Sequence, residues 1–357
     1  MKYKLLTVAL LTISSVAFSQ RGNSLWNSTI KKSDMIPLES RIILPENHLF
    51  TLNLDGLRDV LANAPQRAAG MRTSTVTLSI PNENGVLERF SIYENSALDP
   101  ALAARYPEIK SYIGIGVDNP HSTSYFSVTP LGFKSMTLNA GKAAVFVEPI
   151  SQDLTTYSVF RRADKAQSLT PFECSVIDEV IPQINDDGSM LRPNADDATL
   201  RTFRLALSCT GEYATYFGGT KALALAAMNN SMTRVNGVFE KDFAIRMVLI
   251  ANNDAVIYTN ASTDPYTTSY NSQLQSTLTS VIGEANYDVG HLFVRASNNG
   301  NAGCIGCVCN SGKGSGFTSS TIPQGDTFDI DYVAHEIGHQ FGGNHTFSMS
   351  NEGTGVN

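Results

Sequence analysis

The run Ala334-His335-Glu336-Ile337-Gly338-His339-Gln340-Phe341-Gly342-Gly343-Asn344-His345 constrains the fold more than any other stretch of the chain. A helix over 331–341 sets His335 and His339 four residues apart on one face, close enough to share a cation. Two imidazoles so placed suit zinc. Glu336 lies one residue round the helix, placed to reach water on the metal and not the metal itself, the position of a general base in a neutral-pH hydrolase. Gly342 and Gly343 end the helix, because glycine takes the positive φ of a sharp exit at little steric cost, and the returning chain carries His345. Three histidines leave one tetrahedral position open to water and substrate, as in catalytic and not structural zinc.

At 357 residues the chain is long enough for two domains, and 42% hydrophobic with 17% charged residues is the composition of a soluble globular protein. Its net charge of -7, with lysine and arginine scattered, provides no basic footprint, so nucleic acid is excluded as a partner. Residues 1–19 read as a signal peptide: Lys2 and Lys4 open it, an apolar run spans 5–18, and Ala17-Phe18-Ser19 is a small-x-small cleavage site. The chain is therefore expected to be secreted. The run is shorter than the roughly 20 residues of a membrane span, and no later stretch is long enough, so no span is expected after cleavage.

Residues 20 to about 160 alternate in short runs. A helix is predicted over 53–62, with Leu54, Leu57, Val60 and Leu61 on one side. Strands are predicted at 75–80 and 86–92, joined by the turn-rich Pro81–Gly85, and further strands follow to Phe160. This is a mostly β domain, in which His48 and His121 are structural or surface residues. A polar linker follows over about 161–198, exposed and easily cut. Within it stands Cys174, which can either fill the open zinc position of a latent protease or form a disulfide with Cys209. Five cysteines in an exported chain leave at least one unpaired, and the switch reading leaves Cys209, Cys304, Cys307 and Cys309 to form two bridges.

After the linker the pattern alternates strand and helix: a strand at 203–209, helix 221–238, strand 243–250, helix 273–282 and strand 287–294. That order implies a mixed α/β sheet covered by helices. His291 reads as a satisfied core histidine. Residues 298–315 read as a disulfide-held loop and 316–321 as an edge strand able to bind an extended peptide, with Asp329 or Asp331 capping the zinc helix.

The zinc segment and the element order before it resemble the metzincin metallopeptidases, and most of all their reprolysin (adamalysin)-like branch. The resemblance covers about Thr202 to the end in architecture and His335–His345 in motif. The leader, the β-rich first half and the Arg201–Ala206 opening also resemble secreted bacterial zinc peptidase precursors. The resemblance implies one catalytic zinc on His335, His339 and His345, Glu336 as base, and protein or peptide substrates. It also implies an inhibitory, folding-assisting propeptide over 20–198 and a catalytic domain over 199–357. The chain departs from the pattern in two places. Thr346-Phe347 follows the third histidine where reprolysins usually carry aspartate, an ending that also resembles pappalysin-type metzincins. A methionine turn is expected after a further segment, and Met349 follows His345 too closely to supply it, so a missing C-terminal part is expected. A non-catalytic zinc-containing binding protein on the same scaffold is the rival reading, and calcium binding is not legible.

Overall fold

The computed structural model describes residues 25–38, 43–67, 74–164, 172–176 and 199–345. The leader, most of the 161–198 linker, Thr346, Phe347 and Met349 lie outside them. Strands β1 (Trp26–Thr29) and β2 (His48–Leu52) lead into helix α1 (Leu54–Leu61). Strands β3 (Thr77–Pro81) and β4 (Leu87–Glu94), helix α2 (Pro100–Arg105) and strands β5 (Lys110–Gly116) and β6 (Ser122–Thr129) follow. The set ends with β7 (Gly132–Asn139), β8 (Val145–Pro149) and β9 (Thr156–Arg161). These strands form one antiparallel sheet in the order β1-β2-β9-β8-β7-β6-β5-β4-β3.

Alternation along the strands gives this sheet two different faces. One is apolar: α1, capped by the Asn53 side chain accepting from the Gly56 N–H, lays Leu57 and Leu61 over Phe90, Phe126 and Phe133. Trp26 meets Phe133 and Tyr157 edge-on at 5.3 and 5.4 Å. The predicted 81–85 connector is a tight turn, with Asn82 accepting from the backbone of Asn84 and Val86 and Gly85 at φ 72°. The other face carries Ser111, Ser127, Lys134 and Glu148.

The second sheet has the order β10-β14-β15-β13-β11-β12. It comprises β10 (Glu173–Cys174), β11 (Arg201–Cys209), β12 (Ile245–Leu249), β13 (Val289–Val294), β14 (Asn299–Asn301) and β15 (Gly316–Ser319). All its pairs are parallel except β14 with β15. Helices α3 (Gly211–Tyr216), α4 (Lys221–Phe243) and α5 (Tyr270–Val281) pack around it. A π-helical segment (Thr327–Val333) runs directly into α6 (Ala334–Gln340).

Several expectations are corrected. Helix α4 continues past 238 to Phe243, where Ala244 in a left-handed conformation ends it. Strand β15 is not an edge: β14 and β13 flank it, and the outer rim is β14, lined by β10. The zinc helix begins at Thr327, so neither Asp329 nor Asp331 caps it. Asp329 is buried and accepts from Arg234 at 3.0 Å and Ser231 at 2.5 Å, while Asp331 pairs with Arg162. A carboxylate committed to a buried arginine stabilises the helix from its side and not from its end.

Polar contacts join the two sheets through α4. Ser111 and Ser127 donate to Asn229 and Asn230 at 2.8 and 2.7 Å. Fully buried Arg234 bridges Glu148 of β8 at 2.8 Å to Asp329. At the rim Arg105 pairs with Asp254 at 2.8 Å. Among the described residues no helix is long and apolar enough to cross a membrane.

Candidate metal centre

Helix α6 is held from below by Ile337 in the core and by Gln340, which donates to Gly290 O at 2.9 Å and bonds His291 Nδ1 at 2.8 Å. His291 also contacts Thr318 Oγ1 at 2.8 Å, and its burial lowers its pKa to about 4, so it is the satisfied core histidine expected from sequence. On the upper face His335 Nε2 and His339 Nε2 stand 3.1 Å apart. The exit turn then does what its glycines predict. Gly342 takes φ 106°, Gly343 N–H bonds Gly338 O at 3.0 Å, and His345 returns with its ring centroid 4.5 Å from that of His339 and 5.4 Å from that of His335.

The His339 Nδ1–H donates to Gly343 O. That bond fixes the tautomer and leaves Nε2 with a bare lone pair aimed at its neighbours, the arrangement of a metal-ligating histidine. Burial, with His339 and His345 beside it, lowers the His335 pKa to about 4, which keeps the ring in its neutral, ligating form.

The fourth member comes from the other half of the chain. Cys174 Sγ lies 3.7 Å from His339 Nε2, and one ligand atom from each of Cys174, His335, His339 and His345 falls within 4.8 Å of all the others. Cys174 is delivered by strand pairing. Strand β10 runs parallel to β14 with Cys174 opposite Gly300; Glu173 N–H donates to Asn298 O at 3.2 Å and Ser175 N–H to Gly300 O at 3.0 Å. The Asn301 side chain closes the arrangement on Ser175 O at 3.0 Å. Of the two fates open to Cys174, the geometry gives the one beside the histidines and not the disulfide to Cys209. The Cys209 thiol is buried against Tyr258 O, and burial pushes its pKa up. The two bridges expected in the second half are also corrected. Cys304 and Cys307 form one, while Cys209 and Cys309 stand outside any disulfide, Cys209 in the core and Cys309 on the surface.

Glu336 is fully buried, neither carboxylate oxygen has a hydrogen-bond partner, and burial pushes its pKa up to about 8. The Cys174 thiol and the Ala302 N–H nearby draw it down only in part. A buried carboxylate with no partner is costly unless a group absent from the polypeptide completes it. Three imidazoles and a thiol form a nitrogen and sulfur donor set that fits zinc and not calcium, which takes oxygen ligands. The converging ring nitrogens of His335 and His339, with His345 and Cys174 beside them, fit that ion.

Three residues at the site escape sequence reasoning. Gly300 faces Glu336 so closely that an added Cβ would lie 2.5 Å from Oε1, and only the fold reveals this approach. Gly316 stands similarly against Gln340, at 2.6 Å. Tyr332 lies beneath Phe172; its signal was present, since it precedes His335 by three residues on the same helical face.

A helix bearing two histidines and a carboxylate, a glycine exit and a returning third histidine define a metal-dependent hydrolase. Residues 199–357 match the family described as Metallo-peptidase family M12B Reprolysin-like. That match, together with a histidine and cysteine cluster that could hold a metal ion, supports a reprolysin-like metzincin, a class of zinc metallopeptidase. No curated protein matches the chain.

Proposed function

We propose that the chain is the latent precursor of a secreted zinc endopeptidase: residues 1–19 a signal peptide, 20–198 an inhibitory propeptide and 199–357 the catalytic domain. The observation that carries this reading is Cys174, on a strand from outside the family-matched part, standing among the three histidines. In the latent chain Cys174, His335, His339 and His345 would hold the zinc ion, and after the prosegment leaves the three histidines would hold it. Bound zinc would supply Lewis acidity, lowering the pKa of water to roughly 7.

The polypeptide supplies the rest. Glu336 takes the proton of the attacking water and passes it to the leaving amine. Its pKa of about 8 belongs to the covered cleft. Departure of β10 admits water to the carboxylate and favours its ionised, basic form. The Gly343 carbonyl keeps the His339 ring oriented throughout. The rim of β14, vacated by β10, offers its backbone groups to an extended peptide substrate.

A non-catalytic zinc scaffold has no use for the buried, unpartnered Glu336, and the M12B match favours the reprolysin branch over the pappalysin one. The test is peptidase activity and zinc content of the full precursor before and after limited proteolysis in 165–198, with Cys174→Ala alongside. Activity that appears on cleavage, or without it in the variant, supports a thiol-held zymogen. Bound zinc without activity in any form sinks the enzyme reading.

A further inference from the structure

Cys174 does not enter the cleft alone. Residues 172–175 lie extended along β14, and in an extended chain residues two apart point the same way. Phe172 and Cys174 therefore both face the zinc helix, while Glu173 is exposed. The Phe172 ring lies flat on Tyr332, with centroids 4.0 Å apart and planes 14° apart, and meets His335 edge-on at 6.1 Å. Tyr332 is set in the core cluster with Phe328, Val333 and Ile337, so its ring is a fixed platform and not a loose side chain.

Resting on the peptidase reading above, we propose that Tyr332 is a specificity-determining residue. It floors a subsite for an aromatic side chain of the peptide substrate, two positions along the extended chain from the residue lying over the three histidines. Phe172 fills that subsite in the latent chain. Prosegment and substrate share the same rim, because β14 is the strand edge that either can pair with. When β10 leaves, the face of Tyr332 beside His335 is uncovered, and a stacked aromatic ring is the side chain that covers it best. Stacking adds up to about tenfold in affinity beyond the area buried. Chain direction does not alter the assignment, since residues two places on either side of a given position share its face.

Two measurements test this. In the zinc-loaded full-length precursor, the alkylation rate of Cys174 by iodoacetamide, read by mass spectrometry, should rise about tenfold in Phe172→Ala and stay unchanged in Phe172→Trp. Equal rates in wild type and Phe172→Ala overturn the proposal. In the full chain nicked within 165–198, paired fluorogenic peptides differing only by Phe or Ala two residues either side of the scissile bond should differ about tenfold in kcat/KM. Tyr332→Leu should abolish that preference, while Tyr332→Phe, which keeps the ring and controls for folding, should retain it. Cleavage indifferent to the aromatic residue, or a preference that survives Tyr332→Leu, overturns the proposal alone. No cleavage of any peptide by the nicked wild type overturns the peptidase reading and this proposal together.

Discussion

Replacing Gly300 by alanine adds one methyl group at the point where the cleft rim passes over the Glu336 carboxylate. The new Cβ would stand 2.5 Å from Oε1 and 2.6 Å from both Cδ and Cγ of Glu336. Nonbonded atoms rest near 3.5 Å, so the carboxylate or the strand must yield by about 1 Å. Even after β10 has left, β14 stays paired with β15, with Gly300 opposite Thr318, so the strand is not free to swing away from Glu336. Overpacking of this kind costs about 1–3 kcal/mol of stability. Moving a catalytic group by 1 Å costs about 100-fold in rate. Gly300→Ala in the activated enzyme should therefore bind zinc in the wild-type ratio, since it touches no histidine, while kcat/KM on a peptide substrate falls about 100-fold. Zinc stoichiometry, peptide turnover and the thermal midpoint on one preparation separate these effects. Full activity with unchanged stability would refute the claim that rim and base are packed this closely.

Three further outcomes follow from the same geometry. Glu336→Gln keeps the side-chain volume and all three histidines, so it should retain zinc and lose peptidase activity by at least about 100-fold; comparable turnover would remove Glu336 from its role. Glu148→Ala leaves Arg234 and Lys134 facing each other with less compensation, so denaturant unfolding of the precursor should show a loss of about 3–5 kcal/mol, against little change if the network is idle. His291 is pushed down to about 4 in the fold against about 6.5 unfolded, so below pH 6.5 the unfolded chain takes up a proton that the folded one refuses. Stability should accordingly fall by roughly 3 kcal/mol as pH drops from 6.5 to 4, and His291→Gln should flatten that slope; parallel profiles of the two proteins would contradict it.

Much of the site was legible because its residues are close in sequence. The spacing of His335, Glu336 and His339 is set by one helix, and the Gly342-Gly343 exit by the steric freedom of glycine, so local rules suffice. Cys174 was legible as an alternative only: its chemistry suited a zinc position, but strand pairing with β14 decides between that and a disulfide, and pairing partners are not written in spacing. For the same reason β15 read as an edge strand, when the short Asn299–Asn301 segment, too brief to register as a strand, takes the rim instead. The early start of the zinc helix escaped because a π-helical segment breaks the 3.6-residue period, and because Asp329 reads as a cap until buried Arg234 is seen beside it. The single disulfide follows from folding too: Cys209 is carried into the core by β11, out of reach of the surface loop that holds Cys309.

The most direct test of the central claim is X-ray absorption at the zinc edge of the full-length precursor, repeated on Cys174→Ser and on the nicked chain. The account predicts one sulfur ligand at about 2.3 Å beside three nitrogens at about 2.0 Å in the precursor, and no sulfur in the other two samples. A precursor spectrum with nitrogen and oxygen ligands alone, or a sulfur ligand that persists in Cys174→Ser, would contradict it.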